Sequence, residues 1–340
     1  MKTLTRLLLA AVLVLLALPL LAAKKSFPPE ASAEQFAAWQ KETRAFLAEV
    51  LYNGAPPEAV PLEAEFGKIE TRENYRLQEV KFHDRPGHVT TGWLARPLHP
   101  AAAKLPAVIA LHGHHGSAAM CFDPQKMFFY GDLLAKKGYI VLALDIEHDS
   151  LQYVPGKRLD WEWPLPKNIP FPYMGQRVWM GKRAIDLLQA QPDVDQDRIG
   201  VVGLSNGGVT TMFLAAMDDR IKLAVASGDL IMHDRMWHHN LRHLFHMHCR
   251  CQYLYNMDGV LDYYDIFALI APRPLVVQNG EQDGMFPIAS AKQAYVLIEQ
   301  AYQIAGVPDQ VTHDVHPLAH VFVAEVPAAW FDKYLPLPKR

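Results

Sequence analysis

The pattern of hydrophobic residues changes near residue 105. Beyond it, short runs rich in Val, Ile, Leu and Ala alternate with longer stretches in which apolar residues recur at helical spacing. A run that is apolar at every position predicts a strand buried on both faces, and its alternation with helices predicts parallel βαβ units. The predicted strands are residues 106–111, 139–144, 199–202, 221–227, 275–278 and 311–315, and the predicted helices are 126–137, 177–190, 209–216, 289–306 and 321–334.

The first residues of the chain have the layout of an export signal. Lys2 and Arg6 precede an uncharged apolar run that ends in the small residues Ala22 and Ala23. This order predicts a signal peptide over residues 1–23 and a periplasmic or secreted protein. The apolar run is close to the minimum length for a bilayer span, so an uncleaved membrane anchor is the alternative.

A different arrangement follows the signal. Ser32 and Gln35 have the spacing of a capping box and predict a helix that ends near residue 51. Residues 66–71, 75–82 and 89–94 are rich in strand-forming residues and predict antiparallel strands at the edge of the main sheet. We therefore expect an N-terminal extension over residues 24–95 and an α/β domain over residues 96–340.

Two insertions interrupt the strand–helix alternation. Residues 151–173 are rich in proline and aromatic residues, and residues 229–264 are rich in histidine, methionine and aromatic residues. Both leave the carboxyl ends of predicted strands, which is the edge where open α/β sheets bind ligands. We expect the insertions to form the walls and lid of a pocket.

Composition excludes one class of partner. The chain has 33 Lys and Arg against 36 Asp and Glu, with a net charge of −3 and no basic block, so nucleic acid is not an expected partner. Cysteine is too sparse for a disulfide framework. A bond from Cys121 to Cys249 or Cys251 stays open, because an oxidising compartment would permit it.

The stretch around Ser205 has the features of a nucleophile elbow. Gly203-Leu-Ser-Asn-Gly207 follows a predicted buried strand and precedes a predicted helix rich in small residues. A serine on a sharp strand-to-helix turn needs neighbours without side chains, since strand and helix both pack against it. The pattern predicts that the Ser205 hydroxyl projects above the sheet as a nucleophile.

A serine nucleophile needs a base and an acid that orients the base, in the chain order serine, acid, histidine. Asp283 lies in a turn directly after a predicted buried strand and is the favoured acid. Asp229, just after the preceding strand of the series, is the alternative.

For the base, His320 follows the last predicted strand and precedes the last helix, a position from which its imidazole can reach the elbow. His316 is the second choice, and His313 falls inside the strand. Backbone N–H groups of Asn206 and His114 are the expected oxyanion donors, because one follows the nucleophile and the other lies in the glycine-rich loop after the first buried strand.

Together these segments resemble the α/β-hydrolase superfamily, and within it the exported bacterial branch related to acetyl xylan esterases and dienelactone hydrolases. The resemblance spans about residues 88–335 and departs from dienelactone hydrolases at the nucleophile, which is serine here instead of cysteine. The matching segments begin at His112, Asp193, Gly203, Asp219, Ile270, Asn279 and His320.

The resemblance implies an α/β-hydrolase fold, a mostly parallel twisted sheet with helices on both faces and a lid-like insertion. It also implies a serine carboxylic-ester hydrolase with Ser205, Asp283 and His320 as the triad, no metal and no cofactor. The expected substrate is a small-molecule or carbohydrate ester with a short acyl group such as acetyl. A peptidase of the same fold and a catalytically silent binding protein are the alternatives.

The insertion at residues 229–264 allows one further interpretation. Six histidines and two cysteines fall between His233 and Cys251, and pairs such as His239 and His243 would share a helix face. Such a cluster could bind zinc, but its spacing matches no recognised finger. Histidines packed beneath a lid are the commoner arrangement.

Overall fold

The computed structural model describes residues 25–146, 171–232, 252, 254, 256–257 and 259–338. In these ranges nine strands form one sheet in the order β1-β2-β3-β5-β4-β6-β7-β8-β9. The strands are β1 Glu65–Thr71, β2 Tyr75–Arg85, β3 His88–Pro97, β4 Leu105–Leu111, β5 Ile140–Leu144, β6 Val194–Leu204, β7 Ile221–Ser227, β8 Leu275–Gly280 and β9 Val311–His316.

Helices cover both faces of this sheet. Their bounds within the described residues are α1 Ala33–Tyr52, α2 Tyr130–Lys137, α3 Tyr173–Gln189, α4 Asn206–Met217, α5 Tyr263–Ala268, α6 Ile288–Ile304 and α7 Glu325–Tyr334.

Strands β5, β4, β6, β7, β8 and β9 pair in parallel, and β1, β2 and β3 extend the sheet with antiparallel pairs. Every residue of β4 and β5 is buried, as expected for strands with helices on both faces. The fold class predicted from the hydrophobic pattern, a mostly parallel α/β sheet with an antiparallel edge, is therefore confirmed.

The core lies in two layers, one on each face of the sheet. The larger layer packs α1, α3, α4 and α6 against inward-facing residues such as Ile109 and Val201. The smaller layer packs α2 and α7 against residues of the opposite face, including Val108 and Val202. The alternation of neighbouring strand residues between the two layers explains why these strands are apolar at every position.

The N-terminal helix begins as predicted. The Ser32 hydroxyl accepts a hydrogen bond from the N–H of Gln35 at 3.2 Å, and the Gln35 side chain accepts one from the N–H of Ser32 at 2.8 Å. On its buried face, the Gln40 side-chain amide donates to the carbonyl oxygens of Ala268 and Ala271 at 3.0 and 2.8 Å. Helix α1 thus packs on the same core as the parallel strands.

Two helices begin later than predicted. Residues 126–129 form turns in which the N–H of Lys126 donates to the carbonyl of Asp123, and α2 starts only at Tyr130. Helix α7 starts at Glu325, four residues after the predicted start, because Val323 is hydrogen-bonded to the side chain of Gln278. A tertiary contact therefore accompanies the later start of α7, whereas local turns precede α2.

Three predictions fall wholly or largely outside the described residues: the signal peptide at 1–23 and most of the insertions at 151–173 and 229–264. Where the chain is described, no helix combines the length and hydrophobicity needed to cross a membrane. Cys121 is a buried free thiol, and its candidate partners Cys249 and Cys251 lie outside the described residues.

Gly175 provides a test of the packing between α1 and α3. A Cβ atom at Gly175 would lie 1.8 Å from the carbonyl oxygen of Leu51. We expect Gly175→Ala to lower the free energy of unfolding by about 1–3 kcal/mol, measured by urea denaturation, although alanine is the better helix former. Gly284→Ala is the control, because no heavy atom lies within 4 Å of the added methyl group there. Equal stability of the two variants would contradict this account.

Candidate active site

Ser205 sits at the junction of β6 and α4 in a strained backbone conformation. Its φ is 61° and its ψ is −122°, a left-handed φ that non-glycine residues rarely adopt. Strand β6 ends at Leu204 and helix α4 begins at Asn206, so the turn occupies a single residue. The strand–turn–helix context predicted around Ser205 is present.

The neighbouring glycines allow three backbone segments to meet at this turn. A Cβ atom at Gly203 would lie 2.2 Å from the carbonyl oxygen of Gly207, and one at Gly207 would lie 1.9 Å from that of Leu111. Neither position can carry a side chain unless the backbone moves. The glycines therefore bring the end of β4 and the first turn of α4 against the turn at Ser205.

A hydrogen bond joins this turn to the next strand. The N–H of Ser205 donates to the carbonyl oxygen of Ser227, the last residue of β7, at 2.8 Å. A Cβ atom at Gly208 would lie 2.5 Å from the same carbonyl oxygen. The end of β7 is thus held directly beside Ser205.

Asp283 and His320 are hydrogen-bonded to each other. Nδ1 of His320 lies 2.6 Å from Oδ2 of Asp283. The other carboxylate oxygen of Asp283 accepts the N–H groups of Met285 and Phe286 at 2.8 and 3.0 Å. The Phe286 ring also stacks on the imidazole, with 5.7 Å between centroids and 12° between planes. These contacts fix the orientation of the imidazole ring.

The environment keeps Asp283 ionised. Burial would raise the pKa of its carboxyl group, but the hydrogen bond from His320 and the two backbone N–H groups outweigh burial, so the pKa of Asp283 is lowered. An ionised carboxylate at Nδ1 holds the imidazole in the tautomer whose Nε2 can accept a proton.

His320 lies over the backbone beside Ser205. A Cβ atom at Gly228 would meet the imidazole Cε1 at 2.9 Å and the Leu204 side chain at 3.1 Å. Gly228 directly follows Ser227, which is hydrogen-bonded to Ser205. Nε2 of His320 is buried and has no hydrogen-bond partner in the described structure, so a bond to the Ser205 hydroxyl is not formed here. Such bonds often tighten only when substrate binds.

The alternative acid and bases occupy other environments. Asp229 is fully buried, and within the described residues neither carboxylate oxygen has a hydrogen-bond partner. Burial raises its pKa well above the usual range. His316 is buried at the end of β9, with both ring nitrogens unpartnered in the described ranges. His313 stacks on Tyr295, and burial lowers its pKa to about 4.

The loop after β4 lies against the turn at Ser205. A Cβ atom at Gly113 would lie 3.1 Å from Cβ of Ser205, and the N–H of Gly116 donates to the carbonyl oxygen of Gly113 at 3.2 Å. His114 lies between these glycines. His112 is buried beneath the loop, and burial lowers its pKa to about 4, so its imidazole is neutral at pH 7.

Arg177 is a site contact that the sequence did not indicate. Its guanidinium is fully buried and donates a hydrogen bond to Oδ1 of Asn206 at 2.7 Å. The side-chain amide of Gln252 approaches the same oxygen at 3.4 Å. In the sequence, Arg177 stands at the first position of a predicted amphipathic helix, where an arginine is ordinarily solvent-exposed. Nothing local marks it as buried.

The zinc interpretation concerns residues outside the described ranges. Residues 233–251, which contain all the histidines and cysteines of this cluster, are not described. Among the residues that are described, no group of three or more His, Cys, Asp and Glu side chains could hold a metal ion.

The buried carboxyl group of Asp229 should make the stability of the protein depend on pH. Its folded-state pKa is raised by burial, so above the ordinary aspartate pKa of about 3.9 the unfolded chain releases a proton that the folded chain keeps. The contribution of Asp229 to the free energy of unfolding therefore falls as pH rises through this range. We expect Asp229→Asn to match the wild type near pH 3 and to be more stable at pH 7, measured by urea denaturation.

Asp195→Asn is the control for the sign of this effect. Partial burial would raise the pKa of Asp195, but the hydrogen bond from Arg198 acts against burial and the pKa is lowered. The ionised carboxylate therefore stabilises the folded protein above the ordinary aspartate pKa, and Asp195→Asn should remove that stability. An unchanged pH dependence in Asp229→Asn would show that Asp229 ionises normally in the folded protein.

Comparisons with known proteins agree with this architecture. The sequence is 28% identical over 274 residues to the putative hydrolase YtaP of Bacillus subtilis, covering 75% of this chain and 86% of the relative. A putative acetyl xylan esterase from Bacteroides fragilis superposes with a TM-score of 0.72 at 20% identity, covering 92% of this chain and 91% of that chain. A glucuronoyl esterase from Solibacter usitatus superposes with a TM-score of 0.70 at 16% identity, covering 95% and 98%.

The family assignment rests on the sequence itself. Residues 5–326 match the sequence profile of the Abhydrolase family, which is nearly the whole chain. The glycine-flanked serine between β6 and α4 and the mostly parallel sheet agree with that match. The chain belongs to the Abhydrolase family of α/β-hydrolases.

Proposed function

We propose that this protein is a serine carboxylic-ester hydrolase that acts through an acyl-enzyme. Ser205 is the nucleophile, His320 the general base and Asp283 the orienting acid. The observation that carries the proposal is the His320–Asp283 hydrogen bond of 2.6 Å, formed by an imidazole that rests on Gly228 beside the strained serine. An ionised acid, a base with one unpartnered nitrogen and a nearby serine hydroxyl are the groups that acyl transfer needs.

The reaction begins when Ser205 Oγ attacks the ester carbonyl carbon and its proton passes to Nε2 of His320. The N–H groups of Asn206 and His114 donate to the oxyanion of the tetrahedral intermediate. As the intermediate collapses, the carbon–oxygen bond to the alcohol breaks and the imidazolium protonates the leaving oxygen. Water then attacks the acyl-enzyme with His320 again as base, which releases the acid and restores Ser205.

The proposed substrate is a carbohydrate ester with a short acyl group such as acetyl. The names of two similar solved structures, a putative acetyl xylan esterase and a glucuronoyl esterase, support a carbohydrate ester, and the first of them supports an acetyl group. The signal-like residues 1–23 support export of the protein to the periplasm or its secretion from the cell. An uncleaved segment would instead anchor the enzyme to the membrane.

A panel of substrates tests this function. It contains p-nitrophenyl acetate, butyrate and octanoate, acetylated xylo-oligosaccharides and aminoacyl p-nitroanilides, together with a fluorophosphonate that labels activated serines. Fastest turnover of acetyl esters, with fluorophosphonate attached to Ser205, is the expected result. Faster turnover of the anilides would identify a peptidase. Absence of both turnover and labelling in folded protein would identify a silent hydrolase fold.

Substitution of the nucleophile or the base should abolish most of this activity. We expect Ser205→Ala and His320→Ala each to lower kcat for p-nitrophenyl acetate by about 10³–10⁶-fold, because the triad acts as a unit. Thermal unfolding should show that both variants remain folded. His316→Ala is the matched control and should retain turnover. An active His320→Ala with an inactive His316→Ala would move the base to His316.

Replacing each candidate acid by asparagine distinguishes Asp283 from Asp229 as the orienting acid. Asp283→Asn should lower kcat by about 10⁴-fold, since an amide at this position favours the wrong imidazole tautomer. Asp229→Asn should be far milder, because Asp229 makes no hydrogen bond to His320 in the described structure. Steady-state kinetics of both variants decides the assignment. The reverse ranking would make Asp229 the orienting acid.

A further inference from the structure

The side chain of Gln278 uses its complete hydrogen-bonding capacity beneath the candidate site. Its carbonyl oxygen accepts the Ser227 hydroxyl at 2.8 Å and the N–H of Val323 at 3.0 Å. Its amide nitrogen donates to Oδ2 of Asp314 at 2.5 Å and to the carbonyl oxygen of Val323 at 2.7 Å. A glutamine amide has two donor hydrogens and two acceptor sites, so all four are satisfied. The residue is fully buried.

These four bonds join elements that are distant in the sequence. Gln278 itself lies in β8, Ser227 ends β7, Asp314 lies in β9, and Val323 lies in the loop that carries His320. Both backbone groups of Val323 are bound, which fixes the loop three residues after the imidazole. Helix α7 begins at Glu325, two residues after Val323.

The same residue supports the nucleophile from the opposite side. The backbone carbonyl of Gln278 accepts the N–H of Gly228 at 2.7 Å. Gly228 supports the imidazole of His320, and its neighbour Ser227 accepts the N–H of Ser205. One residue thus holds both the end of β7, to which Ser205 is hydrogen-bonded, and the loop that carries His320.

We propose that Gln278 is a positioning residue that sets the distance between Ser205 and His320 by tying the end of β7 to the His320 loop through its side-chain amide. This inference rests on the proposed function. It assigns to Gln278 no contact with substrate. Its role is to keep the base within reach of the nucleophile, where small displacements have large effects on rate.

Only an amide satisfies the four partners of this side chain. A glutamate of the same shape has no donor hydrogen when ionised, and it would place a second carboxylate against Asp314. The pKa of Asp314 is raised, chiefly by burial and also by the nearby Glu325. The hydrogen bond from Gln278 and the proximity of His316 only partly offset this rise. A carboxylate pair at this distance retains one shared proton at acid pH and repels when both groups ionise.

Gln278→Glu is therefore the informative substitution. For p-nitrophenyl acetate we expect kcat to fall by about 10²-fold at pH 8, with KM changed less than about twofold, because the site geometry changes and the substrate contacts do not. The loss should shrink toward pH 5.5, where the shared proton restores a donor. The fluorophosphonate labelling rate of Ser205 should follow the same pH dependence.

Gln40→Glu is the matched control. Gln40 is also a buried glutamine whose amide donates to two partners, the carbonyl oxygens of Ala268 and Ala271, but it lies in α1. We expect this variant to lose stability while kcat and its pH profile stay as in the wild type. A general cost of burying a glutamate would affect both variants alike.

A second variant keeps the inference testable if Gln278→Glu is poorly folded. In the double variant Gln278→Glu with Asp314→Asn, the new amide at 314 donates to the carboxylate at 278, so this one hydrogen bond is restored with its polarity reversed and the like-charge pair is gone. The carbonyl of Val323 still lacks its donor, so recovery is partial. We expect it to recover at least about tenfold of kcat at pH 8 and to lose the abnormal pH profile. Asp314→Asn alone should resemble the wild type.

The outcomes separate this inference from the proposed function. A wild type that neither hydrolyses esters nor takes up fluorophosphonate overturns both. An active wild type with a Gln278→Glu variant that behaves like Gln40→Glu overturns the positioning role alone. The same holds if the double variant folds and shows no recovery, or if KM alone changes.

Discussion

The close approach of three backbone segments at Ser205 is the constraint on which the rest of the site depends. Gly203 and Gly207 leave no room for a side chain because the first turn of α4 and the end of β4 fill that space. The positive φ of Ser205 persists only because these contacts leave the backbone no alternative. Strain at one residue is thus held in place by tight packing around it, and the serine side chain has a fixed direction.

Parallel pairing then brings distant residues to the same edge. Strands β4, β6, β7, β8 and β9 lie side by side and point the same way, so the loops that follow them share one end of the sheet. Asp283 follows β8 and His320 follows β9, and their hydrogen bond joins two of these loops. Topology alone places the candidate groups within reach, and side-chain contacts decide which of them meet.

Hydrogen bonding distinguishes chemically identical groups at this edge. Asp283 has three donors on its carboxylate and a lowered pKa, whereas Asp229 is buried with neither oxygen bonded in the described structure and has a raised pKa. The first environment stabilises a carboxylate and the second a neutral acid. The polar partners of Gln278 show the same principle, since each buried polar group around it has a partner of the opposite kind.

Much of the fold could be predicted from the sequence because its determinants are local. Fully apolar runs identified the parallel strands, the spacing of Ser32 and Gln35 located the start of α1, and the glycines around Ser205 marked the sharp turn. Each of these depends on residues within a few positions of one another. The expected site residues Asp283 and His320 followed from chain order and from their positions after strands.

The tertiary structure alone decided what depends on distant contacts. It showed that Arg177, at a position that is ordinarily exposed, is buried against Asn206, and that Gln278, inside an apolar strand, binds four partners. It also showed that α7 starts four residues later than the hydrophobic pattern predicts, after a loop that is hydrogen-bonded to Gln278. Periodicity reports which side of an element is buried, but the partner that a buried polar group meets is set by chain segments tens to hundreds of residues away.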